Sequence, residues 1–159
     1  SDLTLDIRLM DFNGKTLLQK KIKTAAPANS SIKIHSIPVN EIADETMRRK
    51  CLLLLTLKDG KGSEIARETH FFARTKDLEL PQTFVRHKIH IADGSCEVTL
   101  SSPKLAKDVY IQIPYQGAQF SDNFFDMLPG ETRKIVITSP EIRKETIPDI
   151  EIKHIRETY

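Results

Sequence analysis

Strict alternation of apolar and polar residues is the feature that most constrains the fold of this chain. Leu3, Leu5, Ile7 and Leu9 occupy every second position, which is the period of a β-strand with one buried face. Asn13-Gly14 follows, and an Asn-Gly pair between alternating segments is a strong signal for a hairpin whose two turn residues both take positive φ. The start of the sequence therefore predicts an antiparallel sheet.

The same pattern continues along the rest of the chain, with turn signals at Asp59-Gly60, Asp93-Gly94 and Pro129-Gly130. Short strands with a turn about every 8–12 residues are typical of immunoglobulin-type sandwiches. No segment has the periodicity of a long helix, although a helical turn within residues 44–49 is as compatible with the sequence as a loop. Strands are predicted around residues 3–10, 18–22, 32–37, 51–57, 64–74, 85–91, 96–101, 109–113, 135–137 and 150–155. One further strand is predicted in the aromatic segment between Gly117 and the Pro129-Gly130 turn.

A short polar segment divides the chain. Residues 75–81 read Thr-Lys-Asp-Leu-Glu-Leu-Pro, and we place a boundary there between domains at residues 1–79 and 80–159. The segment is too short for a flexible tether, so we expect two tandem immunoglobulin-like antiparallel β-sandwich domains in contact. Residues 1–79 show only about five strands. We therefore expect this domain to be truncated at its N-terminus, so that its first strand lacks a neighbour.

Composition disfavours several partner classes. The 24 Lys and Arg nearly balance 22 Asp and Glu, giving a net charge of +2 with both signs interspersed, so no nucleic-acid-binding face is predicted. The longest apolar run, Leu52–Leu55, is far shorter than the roughly 20 residues that span a bilayer. Cys51 and Cys96 lie in different predicted domains, and we interpret both as buried free thiols.

The segment Gly117–Ile137 resembles part of a known family. It contains Phe-Ser-Asp-Asn-Phe-Phe at residues 120–125 and Leu-Pro-Gly-Glu at residues 128–131, and it resembles the last immunoglobulin-like domain of the β-mannosidases of glycoside hydrolase family 2. Residues 7–15, Ile-Arg-Leu-Met-Asp-Phe-Asn-Gly-Lys, resemble a hairpin of the penultimate immunoglobulin-like domain of those enzymes.

This resemblance implies that the chain is a non-catalytic C-terminal region of a larger glycoside hydrolase. In that family the intact enzyme removes terminal β-linked mannose with retention, using two glutamates of a catalytic barrel. The implied partners are that barrel and the other sandwich domains of the parent chain, and the implied location is secreted, periplasmic or lysosomal. Self-association through the truncated first domain is a further expectation. The fragment itself is expected to give structural support.

No catalytic, cofactor-binding or metal-binding residue is predicted. Asn40-Glu41 matches the dipeptide of the acid/base residue in this enzyme clan, but it lies in a charged segment instead of at a strand end of a large barrel. His87 and His90 are three positions apart on a predicted strand, so they point to opposite faces and do not form a metal site.

Aromatic residues leave two other functions open. Tyr110 is predicted to face outward, and Tyr115 and Phe120 are near it in sequence, so these rings would contact either a glycan or a neighbouring domain. A carbohydrate-binding module and an adhesion or interaction tandem are therefore the alternatives to a support domain. We favour packing, because the chain has no Trp and Phe suits burial better than hydrated stacking.

The residues of the motif itself are assigned a structural role. Asp122-Asn123 is predicted to form a turn or bulge that bonds its own backbone and directs the flanking phenylalanines inward. In Pro129-Gly130, Pro presets the first turn torsion and Gly accepts the positive φ that follows. The complete set is Asp122, Asn123, Phe124, Phe125, Pro129 and Gly130.

Overall fold

The structure is a computed structural model that describes residues 2–25, 27, 31–145 and 148–157. It divides into two compact units, residues 1–79 and residues 80–159. Both are built from antiparallel sheets, which confirms the predicted all-β class. None of the helices in the described ranges combines the length and hydropathy needed to span a bilayer.

The first unit contains one four-stranded antiparallel sheet in the order β2-β1-β3-β4. Its strands are β1 Asp2–Asp11, β2 Thr16–Ala25, β3 Cys51–Asp59 and β4 Glu64–Phe71. Its helical segments are α1 Val39–Ile42 and two 3₁₀ turns, Met47–Arg49 and Thr75–Asp77.

The first hairpin is confirmed, but its turn differs from the one predicted. Gly14 has a φ of 99°, whereas Asn13 is not among the described non-glycine residues with positive φ. The Asp11 carboxylate accepts hydrogen bonds from the backbone N–H groups of Asn13 and Lys15, both at 2.9 Å. The strand register also shifts after Leu9. The predicted turn needs two residues with positive φ, whereas this turn has one. The Asp11 carboxylate and the bulge close the hairpin in its place.

The expectation that the first strand lacks a neighbour is wrong. β1 pairs with β2 on one side and with β3 on the other, so its backbone is satisfied on both sides. β3 is covered on both faces at its start, as its continuous apolar run predicted, because the adjacent Cys51 and Leu52 are 1% and 0% exposed.

The predicted strand near residues 32–37 is absent, since residues 31–38 form no regular element. Ile32, Ile34 and Ile37 instead line an open groove of about 330 Å³ together with β1 and β3 side chains such as Ile7 and Leu55. Because the segment lies over the face of the sheet, its backbone is not at a sheet edge where it could pair. The helical turn considered within residues 44–49 is present as the 3₁₀ turn 47–49.

The second unit is a sandwich of two sheets, β5-β6-β10-β8 and β11-β7-β9. Val98 and Ile137 of the first sheet and Val109 and Met127 of the second are fully buried in one core cluster. The strands are β5 Arg86–Ala92, β6 Ser95–Ser101, β7 Ala106–Gln112, β8 Gln119–Phe120, β9 Phe125–Met127, β10 Thr132–Thr138 and β11 Glu151–Lys153, followed by a 3₁₀ turn at Ile155–Glu157.

Candidate functional site

The aromatic motif passes from one sheet of the second unit to the other. β8 pairs with β10, whereas β9 pairs with β7, so the single aromatic strand expected from the sequence is two short strands. At the crossing, the Asn123 side chain accepts a hydrogen bond from the backbone N–H of Ile111 at 2.8 Å and donates one to the Ile111 carbonyl oxygen at 3.0 Å. The Asn123 side chain thus bonds both backbone groups of Ile111, as a residue of a neighbouring strand would.

The motif also bonds its own backbone, as predicted. The N–H of Asn123 donates to Asp122 Oδ1 at 2.8 Å, and the N–H of Phe124 donates to Asn123 Oδ1 at 3.1 Å. Asp122 is 3.2 Å from the guanidinium of Arg133, which in turn lies 4.3 Å above the ring centre of Phe125. These contacts fix the chain direction on both sides of the crossing.

The two phenylalanines that follow point in different directions, which corrects the expectation that both face inward. Phe125 is 8% exposed and belongs to the core, whereas Phe124 is 73% exposed. Phe124 has a φ of 60°, a left-handed conformation that bulky residues rarely adopt. The positive φ interrupts the alternation of side chains at this residue, and only the second ring enters the core.

The exposed ring of Phe124 contacts an aromatic side chain of β7. It stacks on Tyr110, with ring centres 5.7 Å apart and planes inclined by 14°. Tyr110 lies on β7 between the buried Val109 and Ile111, so its outward direction agrees with the sequence pattern. The structure thus pairs Tyr110 with a ring that the sequence pattern places in the core.

The other two aromatic candidates lie elsewhere. Tyr115 and Phe120 are half-buried and pack against the core cluster of the second unit. They do not join Tyr110 in the stack, so an outward surface of all three rings is not formed.

A cluster of charged groups lies on β7, which carries Tyr110, and on β9, which begins directly after Phe124. The ammonium of Lys107 is 3.1 Å from Asp108 Oδ1 and 3.3 Å from Asp126 Oδ1, and the backbone N–H of Asp108 donates to Asp126 Oδ1 at 2.9 Å. Asp108 is the second described non-glycine residue with positive φ, at 52°. Lys153 on β11 lies directly opposite Tyr110. We call this surface, formed by Tyr110, Phe124, Lys107, Asp108, Asp126 and Lys153, the aromatic face.

Sequence reasoning did not identify the bulge that carries Asp108, although its signal was present. Val109, Ile111 and Ile113 are two positions apart, but Ala106 precedes Val109 by three. Such a break in a period of two indicates an inserted residue, and the register shifts between Ala106 and Val109.

The turn after the motif has the predicted form. Gly130 has a φ of 76°, and the N–H of Glu131 donates to the Leu128 carbonyl oxygen at 3.0 Å. The Glu131 carboxylate accepts the N–H of Leu128 at 2.8 Å. The turn is therefore closed by side chain and backbone together.

The residues that the sequence offers as catalytic or metal-binding candidates do not form a common site. Asn40 and Glu41 are exposed on α1. His87 pairs opposite the buried Leu100 and His90 opposite Glu97, so the two imidazoles lie on opposite faces. Within the described ranges, no three His, Cys, Asp or Glu side chains are placed to hold a metal ion.

Both cysteines are free and buried, which confirms the prediction. Burial raises the pKa of the Cys51 thiol to about 11, with smaller contributions from the carboxylates of Asp44 and Asp11. Burial also raises the pKa of Cys96. Since the thiolate is the reactive form, neither residue is suited to nucleophilic or redox chemistry.

Two family models match the chain in tandem. Residues 1–77 match a model described as a mannosidase Ig/CBM-like domain, and residues 78–158 match an Ig-fold domain model of the mannosidases. Both are Ig-type accessory domains, and the resemblance to the immunoglobulin-like domains of family 2 mannosidases is confirmed. No match was found among curated protein sequences.

Solved structures of two glycoside hydrolases share the fold. The β-D-mannosidase from Dictyoglomus thermophilum is 22% identical with a TM-score of 0.73, and the match covers 97% of this chain and 18% of that chain. The exo-chitosanase CsxA from Amycolatopsis orientalis is 14% identical with a TM-score of 0.53, covering 96% of this chain and 22% of that chain. This chain therefore spans about a fifth of the length of either relative.

Proposed function

The chain belongs to the mannosidase Ig-fold domain family, and from this membership we propose that it is the C-terminal accessory region of a retaining β-mannosidase. In this role residues 1–79 form the penultimate domain and residues 80–159 the last domain. The parent enzyme hydrolyses terminal β-mannose residues with a catalytic barrel, and the two domains support that barrel by packing against it and against other sandwich domains.

The observation that carries the proposal is the tandem order of the two family matches. They follow one another at residues 1–77 and 78–158. A β-D-mannosidase superposes on 97% of the chain while using 18% of its own length. A fold does not by itself define an activity, so the catalytic part of this proposal depends on the residues of the parent outside this chain.

The proposal is tested on the complete gene product. We expect it to hydrolyse an aryl β-mannoside, and we expect a version without the 159 residues to lose activity faster on heating, because the barrel would expose the surface that the domains cover. A gene product without mannosidase activity would contradict the assigned parent. Equal inactivation rates for the two versions would contradict the support role.

Weak self-association through the first domain is a further part of this proposal. β2 and β4 are the edges of its sheet, and edge strands can pair with another chain. Leu17, Leu18 and Ile65 on these strands are 39%, 39% and 55% exposed. Sedimentation over a concentration series tests this, and a mass that stays monomeric at millimolar protein would contradict it.

A further inference from the structure

We propose that the aromatic face of the second domain binds a neutral pyranose unit of a glycan, with Phe124 stacking on the ring and the carboxylates beside it accepting hydroxyl hydrogen bonds. The identity of the sugar, a β-mannoside, rests on the proposed function. The binding surface itself consists of side chains between residues 107 and 153.

Phe124 is exposed although its backbone is strained. Burial of a phenylalanine side chain is normally stabilising, yet this ring is 73% exposed while its backbone adopts a left-handed conformation at a φ of 60°. Residues held in rarely populated conformations cluster at binding sites. A strained backbone that presents a large apolar ring to solvent therefore indicates a ligand-binding surface.

The ring is also held in place. Tyr110 lies behind it at 5.7 Å with nearly parallel planes, and the adjacent Asn123 is fixed by two hydrogen bonds to Ile111. A preorganised ring loses little conformational freedom on binding, so even a ligand that makes few contacts can bind to it. One face of Phe124 contacts Tyr110, and the other is available to the apolar C–H face of a sugar ring.

The polar groups next to the rings suit a ligand rich in hydroxyl groups. The side chains of Asp108 and Asp126 are partly exposed, at 43% and 24%, and an ionised carboxylate offers about four acceptor positions on its two oxygens. Their Oδ1 atoms are held by Lys107. The carboxylates are therefore fixed in position with acceptor capacity directed to solvent.

Charge balance favours a neutral sugar over an acidic one. The ammonium of Lys107 is paired with two carboxylates, and that of Lys153 is paired with Glu151. Neither cation is left to neutralise a bound anion, and the carboxylates would repel one. A neutral pyranose needs no such partner.

The experiment is a titration of the 159-residue protein with methyl β-D-mannopyranoside and with β-1,4-mannotriose, followed by amide NMR. We expect saturable shifts centred on Tyr110, Phe124 and Lys153, with a dissociation constant on the order of 1 mM. Phe124→Ala should weaken binding by about tenfold, because it removes the stacking surface.

Two further variants make the result decisive. Phe84→Ala removes another exposed phenylalanine, which is 49% exposed and contacts the guanidinium of Arg86, and it should leave the dissociation constant unchanged. Phe124→Gly keeps a residue that accepts the left-handed backbone, so it separates loss of the ring from loss of the fold.

Several outcomes would overturn the inference. These are no saturation up to about 20 mM sugar, shifts that spread away from the aromatic face, or equal effects of the substitutions at Phe84 and Phe124. Binding of the protein to an isolated barrel that is lost in Phe124→Ala, without any sugar binding, would assign this face to a domain contact instead. A negative sugar titration would not affect the support role, which is tested by the thermal inactivation of the complete gene product.

Discussion

Replacing Asn123 by Ala should destabilise the second unit more than any other substitution of an exposed or half-buried polar residue in the motif. The side chain makes three hydrogen bonds to backbone groups, two with Ile111 and one with Phe124, at 2.8, 3.0 and 3.1 Å. Alanine removes all three and leaves the Ile111 N–H and carbonyl without this partner at the point where the chain changes sheets.

The size of the effect follows from these contacts. A typical intramolecular hydrogen bond contributes about 0.5–1.5 kcal/mol net, so three of them amount to about 2–3 kcal/mol if water partly replaces the lost partners. For a unit of this size, 1 kcal/mol corresponds to roughly 4–8 °C in Tm. We therefore expect the Tm of the second unit to fall by about 10–20 °C.

Tyrosine fluorescence provides a selective assay. The chain has no Trp, and its three Tyr residues all lie within residues 80–159, so this signal reports on the second unit even if the two units unfold separately. Gln116→Ala, which truncates an exposed amide in the same unit, is the matched control and should change Tm by no more than a degree or two. If Asn123→Ala lowers Tm no further than Gln116→Ala, the assigned role of the amide is wrong.

Three further outcomes are expected. Phe124→Gly should be more stable than Phe124→Ala by about 1 kcal/mol in urea denaturation, because both lose the stack but only glycine relieves the positive φ; equal stabilities would show that this backbone is not strained. Because burial raises the pKa of Cys51 to about 11 from an ordinary 9.0, the unfolded chain loses this proton first, so unfolding free energy should fall as pH rises from 9 to 11 and Cys51→Ala should reduce that slope; an unchanged slope in the variant would refute this. The purified protein should not hydrolyse an aryl β-mannoside, and turnover abolished by Glu41→Gln would reverse the assignment of this exposed residue.

The sequence was sufficient for features that depend on neighbours along the chain. Alternation at Leu3–Leu9 and the Asn-Gly and Pro-Gly pairs located strands and turns, since strand period and turn torsions are local properties. The sequence motif at residues 120–131 was sufficient to identify the family. The self-bonding of Asp122-Asn123 was likewise predictable, because an Asx side chain and the following N–H groups are covalently close.

The aromatic face required the tertiary structure. Alternation predicted that Tyr110 faces outward, but it did not show that Phe124, fourteen positions later, would stack on it while Phe125 enters the core. Between β8 and β9, Asn123 is held by two hydrogen bonds to Ile111 of β7. A local pattern assigns side chains to faces, whereas these long-range hydrogen bonds hold the chain where it passes from one sheet to the other, and this passage decides which of two adjacent phenylalanines enters the core.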